Sequence, residues 1–222
     1  MNTREQWIEV MRNVHTGHAP EAASSVDASL REAKSFVEFG VAFRGARILD
    51  LGSGNGRQAV GLSYCDLAEY VGIEPVQVCV EFSQAAFAAF PNFRFVWVDL
   101  CNGTYNPQGA IDPATFRIPA DDGHFDSVLA GSLFTHLENE DVCMHYLAET
   151  ARVLKPGGCL YSTWFRAPPN QICASAHRTV FTESAVITML TRHFTFYHTS
   201  EGMTDGYHDQ WRTFTRKASD VR

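Results

Sequence analysis

The chemistry-bearing feature of this chain is Asp50-Leu51-Gly52-Ser53-Gly54-Asn55-Gly56, three glycines at alternate positions behind an acidic residue. Glycine is needed where the backbone takes positive φ, or where a ligand comes too close for a Cβ. The apolar residues Ile48 and Leu49 precede the stretch, and Arg57-Gln58-Ala59-Val60 begins a helical pattern after it. Strand, tight turn and helix in that order make the first crossover of a parallel α/β sheet. N–H groups at the start of the helix aim at the same spot, so a ligand is expected on the turn. The dinucleotide fingerprint G-x-G-x-x-G does not fit, because Arg57 stands where its third glycine belongs and Gly56 comes one residue early.

Other residues of reactive type are spread along the chain. Glu74 closes a second apolar run just before Pro75, and Asp99-Leu100 closes a third. His136 follows Gly131-Ser132 in a short apolar stretch, while His177 and His208 are weaker candidates for proton transfer. His15 and His18 form an H-x-x-H pair, but no cysteine or third ligand is nearby and no metal site is expected. His145 and Glu149 stand one helical turn apart and read as a surface pair.

The elements that must position these residues follow from periodicity and from turn residues. A helix is expected from Thr3 to about His15, a break over His15–Pro20, and a second helix from Asp27 to Phe39 capped by Ser25 or Asp27 and ended by Gly40. These helices either cover a sheet edge or form a flap over the ligand. Strands are expected at Arg47–Leu51, Tyr70–Glu74, Phe93–Leu100, Phe125–Ala130 and Cys159–Phe165. Helices at Gly56–Cys65, Gln77–Phe90 and Glu138–Leu154 separate them, the second burying Val78, Phe82, Ala85, Ala86 and Ala89. Right-handed crossovers make this a doubly wound sheet. A helix at Thr182–His193 and two late strands, Phe194–Thr199 and Gln210–Lys217, complete the chain, and the short connection makes those strands antiparallel. The division expected is a helical cap over 1–40 on a domain over 41–222, together one globular unit.

Composition narrows the function. A chain of 222 residues, 45% hydrophobic and 19% charged, suits one compact α/β domain. A formal net charge of −7 argues against general affinity for nucleic acid or anionic membrane. Six dispersed cysteines without a C-x-x-C pair argue against a zinc ribbon or a disulfide scaffold and for a reducing compartment. No signal peptide or membrane span is apparent, so a cytoplasmic location is expected.

Four stretches together carry a resemblance to a family. They are Asp50–Gly56, Val71-Gly72-Ile73-Glu74-Pro75, the run Ile118 to Val128 leading into the fourth strand, and Ala151-Arg152-Val153-Leu154-Lys155-Pro156-Gly157-Gly158. Over roughly Val41 to Phe165 the chain resembles the class I S-adenosylmethionine (SAM)-dependent methyltransferases. The resemblance implies a Rossmann-like seven-stranded sheet with the last two strands antiparallel and helices on both faces. It implies SAM as cofactor, with S-adenosylhomocysteine as product. Gly52, Gly54 and Gly56, with Ser53, would floor the methionine and ribose portions. Glu74, beside Pro75, would accept from the ribose hydroxyls, and Asp99 from the adenine amino group, with Leu100 beside the ring. Gly131 and Ser132 would border the methyl group. Asp50 would either touch SAM or organise the glycine turn.

Methyl transfer from a sulfonium is an in-line displacement, and an oxygen nucleophile usually needs a base where a neutral amine needs only positioning. His136 is the best-placed base, set against a packing or capping role. Asn102–Asp122 is a long connection that could shape the acceptor side. The late aromatics are mostly core. Gly131-Ser132-Leu133-Phe134 stands where nucleic-acid amino methyltransferases carry an Asn/Asp-Pro-Pro-aromatic motif. The function expected is methyl transfer to O or N of a small-molecule acceptor, a sugar or secondary metabolite. The alternatives are SAM binding without catalysis, or a protein or nucleic-acid acceptor.

Overall fold

A computed structural model describes residues 2–12, 19–166, 179–200 and 210–218. In chain order the elements are α1 (Arg4–Arg12), α2 (Ala19–Glu38), β1 (Arg47–Leu51), α3 (Arg57–Leu62), β2 (Glu69–Glu74), α4 (Gln77–Ala86) and β3 (Phe93–Trp97). They continue with β4 (Phe125–Ala130), α5 (Glu140–Val153), β5 (Leu154–Arg166), β6 (Val180–Phe181), α6 (Glu183–Leu190), β7 (Phe194–Ser200) and β8 (Gln210–Lys217). The strands lie in the order β3-β2-β1-β4-β5-β8-β7. Strands β1 to β5 are mutually parallel, while β8 runs antiparallel to both β5 and β7. Strand order reverses between β1 and β4, the switch point at which doubly wound sheets open a crevice.

Side chains alternate across a strand, so each strand feeds two cores. Leu49, Leu51, Val71 and Val128 pack on one face with Tyr146 and Leu147 of α5. Ile48, Tyr70 and Leu129 pack on the other with Trp7, Val26 and Phe36 of the N-terminal helices and with Val60 of α3. Asp50 follows the parity of Ile48, so β1 sends it to the second face. Glycine admits the N-terminal helices closely: a Cβ on Gly61 would lie 2.3 Å from the Ser29 carbonyl oxygen.

Several expectations are corrected. Among the described residues the expected seven-strand path is present, and the two-residue β6 adds an eighth strand beside β5 outside it. Helix α2 starts at Ala19, eight residues before Asp27, and neither Ser25 nor Asp27 caps it, since both lie inside. Pro20 is the second residue of the helix, where no intrahelical N–H bond is lost. The rest of the expected break, with His15 and His18, lies outside the described residues, as do His177 and His208.

The buried face of α4 is Val80 and Ser83, continued by Phe87, whereas Val78 is 67% exposed and Ala85 and Ala89 are exposed. The small residue Ser83 holds the inward position against the glycine turn, and that sets the helix's rotation. His145 and Glu149 do not pair with each other. The His145 ring meets the Phe116 carbonyl at 2.7 Å, and Glu149 accepts from the Ile118 amide and from Arg152. Thr182 caps α6 as its position before Glu183 suggests, accepting from the Ala185 amide. Among the described residues no helix is long and apolar enough to cross a membrane.

Candidate functional site

The glycine turn leaves β1 with Gly52, Gly54 and Gly56 at φ 75°, 52° and 73°, left-handed conformations that favour glycine. The amides of Gly52 and Ser53 both donate to the Ile73 carbonyl, which fastens the turn to the end of β2. Gly54 has nothing within 4 Å of an added Cβ and opens onto a cavity. Gly56 instead faces α4, where a Cβ would sit 3.1 Å from Phe87.

Glu74 ends β2 and is 6% exposed. Its Oε2 accepts from the Gly54 amide at 2.9 Å and its Oε1 from the Val76 amide at 3.0 Å. Each carboxylate oxygen has a second acceptor position, and the side chain lines the cavity. Burial raises its pKa, and the two backbone N–H groups oppose that rise. The carboxylate is therefore held by main-chain donors, and no cation is paired with it among the described residues.

The cavity encloses about 310 Å³. Gly52, Gly54, Glu74, Pro75 and Leu100 line it from β1, β2 and the end of β3, and Gly131, Ser132 and His136 line it from beyond β4. Its inner wall is apolar, with Leu51, Ile73, Val98, Phe116 and Leu137. The Tyr146 hydroxyl at this wall is buried and has no partner among the described residues. One orphaned hydroxyl in an apolar slot, a carboxylate at a strand end and an open glycine floor suit the adenine, ribose and methionine parts of SAM.

Four expected residues stand apart from this cavity: Gly56, which faces α4, and Asp50, Asp99 and Ser53. Asp50 lies on the opposite face of the sheet, 1% exposed, accepting from the Tyr70 hydroxyl at 2.5 Å, with its Oδ1 unpartnered among the described residues. Burial pushes its pKa up to about 7, against the lowering effect of the Tyr70 bond. Asp99 is half-buried and its Oδ1 already accepts from the Asn106 amide group at 3.0 Å. Ser53 turns toward β2, where its Oγ would lie 2.7 Å from a Cβ at Gly72.

Ser132 has φ 59°, a strained angle for a residue with a Cβ. Its amide donates to Thr163 Oγ1 at 2.7 Å, and its hydroxyl accepts from the Gln210 side chain at 3.1 Å. The long connection folds back over the cavity mouth. Asn102 donates to the His136 carbonyl at 3.1 Å, and the Tyr105 hydroxyl meets His136 Nε2 at 3.3 Å. Burial raises the Tyr105 pKa and the nearby Glu74 charge adds to it. His136 thus sits at the Tyr105 side of the cavity.

A second cleft of about 250 Å³ lies on the other side of the turn, sharing Gly52, Gly54, Asn55, Gly131 and Ser132 with the first. Its remaining wall is Met11 and Ser25 of the N-terminal helices with Ser53, Arg57 and Gln58. Sequence reasoning missed Tyr105, Tyr146, Arg57 and Gln58 as site residues. For Arg57 and Gln58 a signal existed in their adjacency to Gly56; for the two tyrosines there was none.

The chain matches the family described as a methyltransferase domain over residues 49–162, just over half its length. It belongs to that family, the class I SAM-dependent methyltransferases, and its cofactor is SAM. A SAM-dependent methyltransferase from Methanosarcina mazei aligns at TM-score 0.62 and 15% identity, over 83% of this chain and 98% of that one. The [4+2]-cyclase SpnF aligns at TM-score 0.66 and 18% identity, over 90% of this chain and 83% of its own. A chain from the complex of the Haloferax volcanii Trm112 methyltransferase activator with a methyltransferase aligns at 0.62 and 15%, over 98% and 99%. At these identities the structures speak to the fold alone.

Proposed function

We propose that this protein transfers the methyl group of SAM to an oxygen or nitrogen of a small-molecule acceptor, a sugar or secondary metabolite, in the cytoplasm. One observation carries the reading: the second cleft, of about 250 Å³, shares Gly131 and Ser132 with the Glu74 cavity and has room for a small acceptor beside them. In this reading Glu74 accepts from the ribose hydroxyls and Gly52 and Gly54 floor the methionine chain. Leu100 and Phe116 flank the adenine, with Asp99 and the Tyr146 hydroxyl as its polar contacts. Bound there, SAM supplies a methyl carbon activated on sulfur. Ser132 and Gly131 hold the border between the clefts, and the Tyr105 loop excludes water.

His136 is the proposed base only for an acceptor that reaches past Ser132 into the first cavity. A second reading, SAM binding without methyl transfer, is favoured by the second cleft itself. Among the described residues it holds no imidazole or carboxylate to take a proton. The SpnF neighbour, described as a cyclase, shows that this fold hosts other chemistry.

Calorimetric titration with SAM and S-adenosylhomocysteine, beside Glu74→Ala, tests the cofactor half. Micromolar binding lost in the variant supports it, and no binding to the wild type overturns it. Formation of S-adenosylhomocysteine with an acceptor panel then separates transfer from binding alone. The archaeal neighbour solved with a Trm112 activator makes co-expression with such a subunit the control for an inactive preparation.

A further inference from the structure

Among the described residues Ser132 is the only one other than glycine at positive φ, at 59°. That conformation strains a residue with a Cβ and persists only where the surroundings impose it. Here buried side chains hold all three polar groups of the residue. Its amide donates to Thr163 Oγ1 of β5 at 2.7 Å, and its carbonyl accepts from Thr135 Oγ1 at 2.7 Å. Its Oγ lies 3.1 Å from Nε2 and 3.3 Å from Oε1 of Gln210 on β8. Thr163, Thr135 and Gln210 are all buried.

Strand register explains how two of these partners converge. Gln210 pairs with Phe165, and Phe165 has the parity of Thr163, so both side chains leave the same face of the sheet. That face also carries the aromatic core around Tyr161 and Phe214. Polar side chains placed there are costly unless each finds a partner. Glycine at position 132 would take this φ freely and would need no partner for a hydroxyl. What serine supplies and glycine lacks is an oxygen atom, at the wall common to both clefts. Whether Gln210 donates through Nε2 or accepts through Oε1, the Ser132 Oγ keeps at least one lone pair for a ligand.

We infer that Thr163 and Gln210 are positioning residues for methyl transfer, holding Ser132 in its left-handed conformation with Oγ toward the transferable methyl group. The inference rests on the proposed function and deepens it. Neither residue touches the cofactor; Thr163 sets the backbone of Ser132, and Gln210 sets its hydroxyl. Methyl hydrogens on a sulfonium are positively polarised, and an oxygen at that place accepts from them.

The test compares calorimetric affinities for SAM, S-adenosylhomocysteine and sinefungin, in which a carbon bearing an ammonium group replaces the methylated sulfur. The proteins are the wild type, Ser132→Gly, Gln210→Leu, their double variant, Thr163→Val and Thr163→Ser. S-adenosylhomocysteine lacks the group that Ser132 faces. The ratio of affinities therefore reads the positioning, where a general loss of structure lowers all three affinities together.

Ser132→Gly and Gln210→Leu are each expected to lower the affinity for sinefungin relative to S-adenosylhomocysteine about tenfold, and that for SAM about threefold. The double variant loses no more than either single one, because Gln210 acts through Ser132. It has neither the strain nor an orphaned carboxamide, and so melts no lower than the wild type. Thr163→Val lowers the ratio, and Thr163→Ser, which keeps the hydroxyl, does not. Ratios that survive in Ser132→Gly or in the double variant overturn the inference and leave the clamp a feature of the fold alone. Additive losses overturn it as well, since Gln210 then acts without Ser132, and equal losses in the two Thr163 variants overturn the part given to Thr163. Failure of the wild type to bind any of the three ligands overturns the proposed function instead.

Discussion

The two ends of the parallel strands treat carboxylates in opposite ways. At the N-terminal end a groove of about 690 Å³, larger than either cleft at the other end, is lined by Glu69, Arg94, Arg117, Asp122 and His124. There the charges answer one another: His124 meets Glu69 at 2.6 Å, Arg94 meets Glu69 at 3.6 Å, and Asp122 is reached by Arg152 and Arg117. At the C-terminal end Glu74 is satisfied by two main-chain amides, and its charge remains available to a ligand. Size did not make the site. An anchored carboxylate without a cation did.

Asp50 breaks this comparison most: among the described residues it has no ion pair and no loop amide, only the Tyr70 hydroxyl in contact and the Arg57 charge nearby. Its pKa is 3.8 by type and about 7 in the fold. A raised acid binds its proton more tightly when folded, so the stabilisation is complete below about pH 4. It is lost as pH rises to 7, on the order of 4 kcal/mol in all. Urea unfolding at pH 4 to 8 is expected to show that slope in the wild type minus Asp50→Asn difference, because asparagine keeps the Tyr70 contact without the charge. A flat difference would show that Asp50 is ionised and compensated.

Glu74→Gln sharpens the comparison directly. It keeps the size and one carbonyl acceptor but loses the charge, and is expected to weaken S-adenosylhomocysteine binding about thirtyfold, or about 2 kcal/mol. Gly54→Ala puts a methyl group where the turn opens to the cavity, at φ 52°. About tenfold weaker binding and a melting point lower by a few degrees are expected. The smallest effects belong to the other end. Arg94→Gln should leave cofactor affinity within about a factor of two and cost under about 1 kcal/mol, because a pair with an exposed guanidinium contributes little; His124→Gln, in a half-buried pair with Glu69, should leave cofactor affinity within the same factor. A larger loss of affinity in either would show that the groove communicates with the site.

Legibility in the sequence followed the range of the interactions. The glycine turn, the acidic end of β2 and the switch-point residues Gly131 and Ser132 are local patterns, and the structure brings Gly52, Gly54, Glu74, Leu100 and Ser132 to one cavity. The side to which Asp50 points was also readable, since strand parity with Ile48 decides it, but a motif read as a string hides parity. The rotation of α4 was not legible, because alanine-rich helices offer more than one apolar face and packing on Gly56 selects among them. Nor was the Tyr105–His136 contact, which depends on how a long connection folds back. The Glu32–Arg57 pair joins residues on different helices, and hydropathy has no sign for it.

Ser29 has a further consequence. Its hydroxyl donates to the Arg57 carbonyl at 2.5 Å and accepts from the Gly61 amide at 2.7 Å, while Glu32, one turn along the same helix, takes the Arg57 side chain. Two contacts spaced three residues apart on α2 therefore engage two positions spaced four apart on α3, like teeth of matched pitch. One residue inserted into α2 between Glu32 and Phe36 would leave hydrophobicity and helix propensity almost untouched, yet turn both teeth about 100° from the end of the helix that Phe36 anchors. The tolerance of α2 to change is thus set by counting: substitutions on its outer face are cheap, and a single insertion or deletion there unmeshes it from α3.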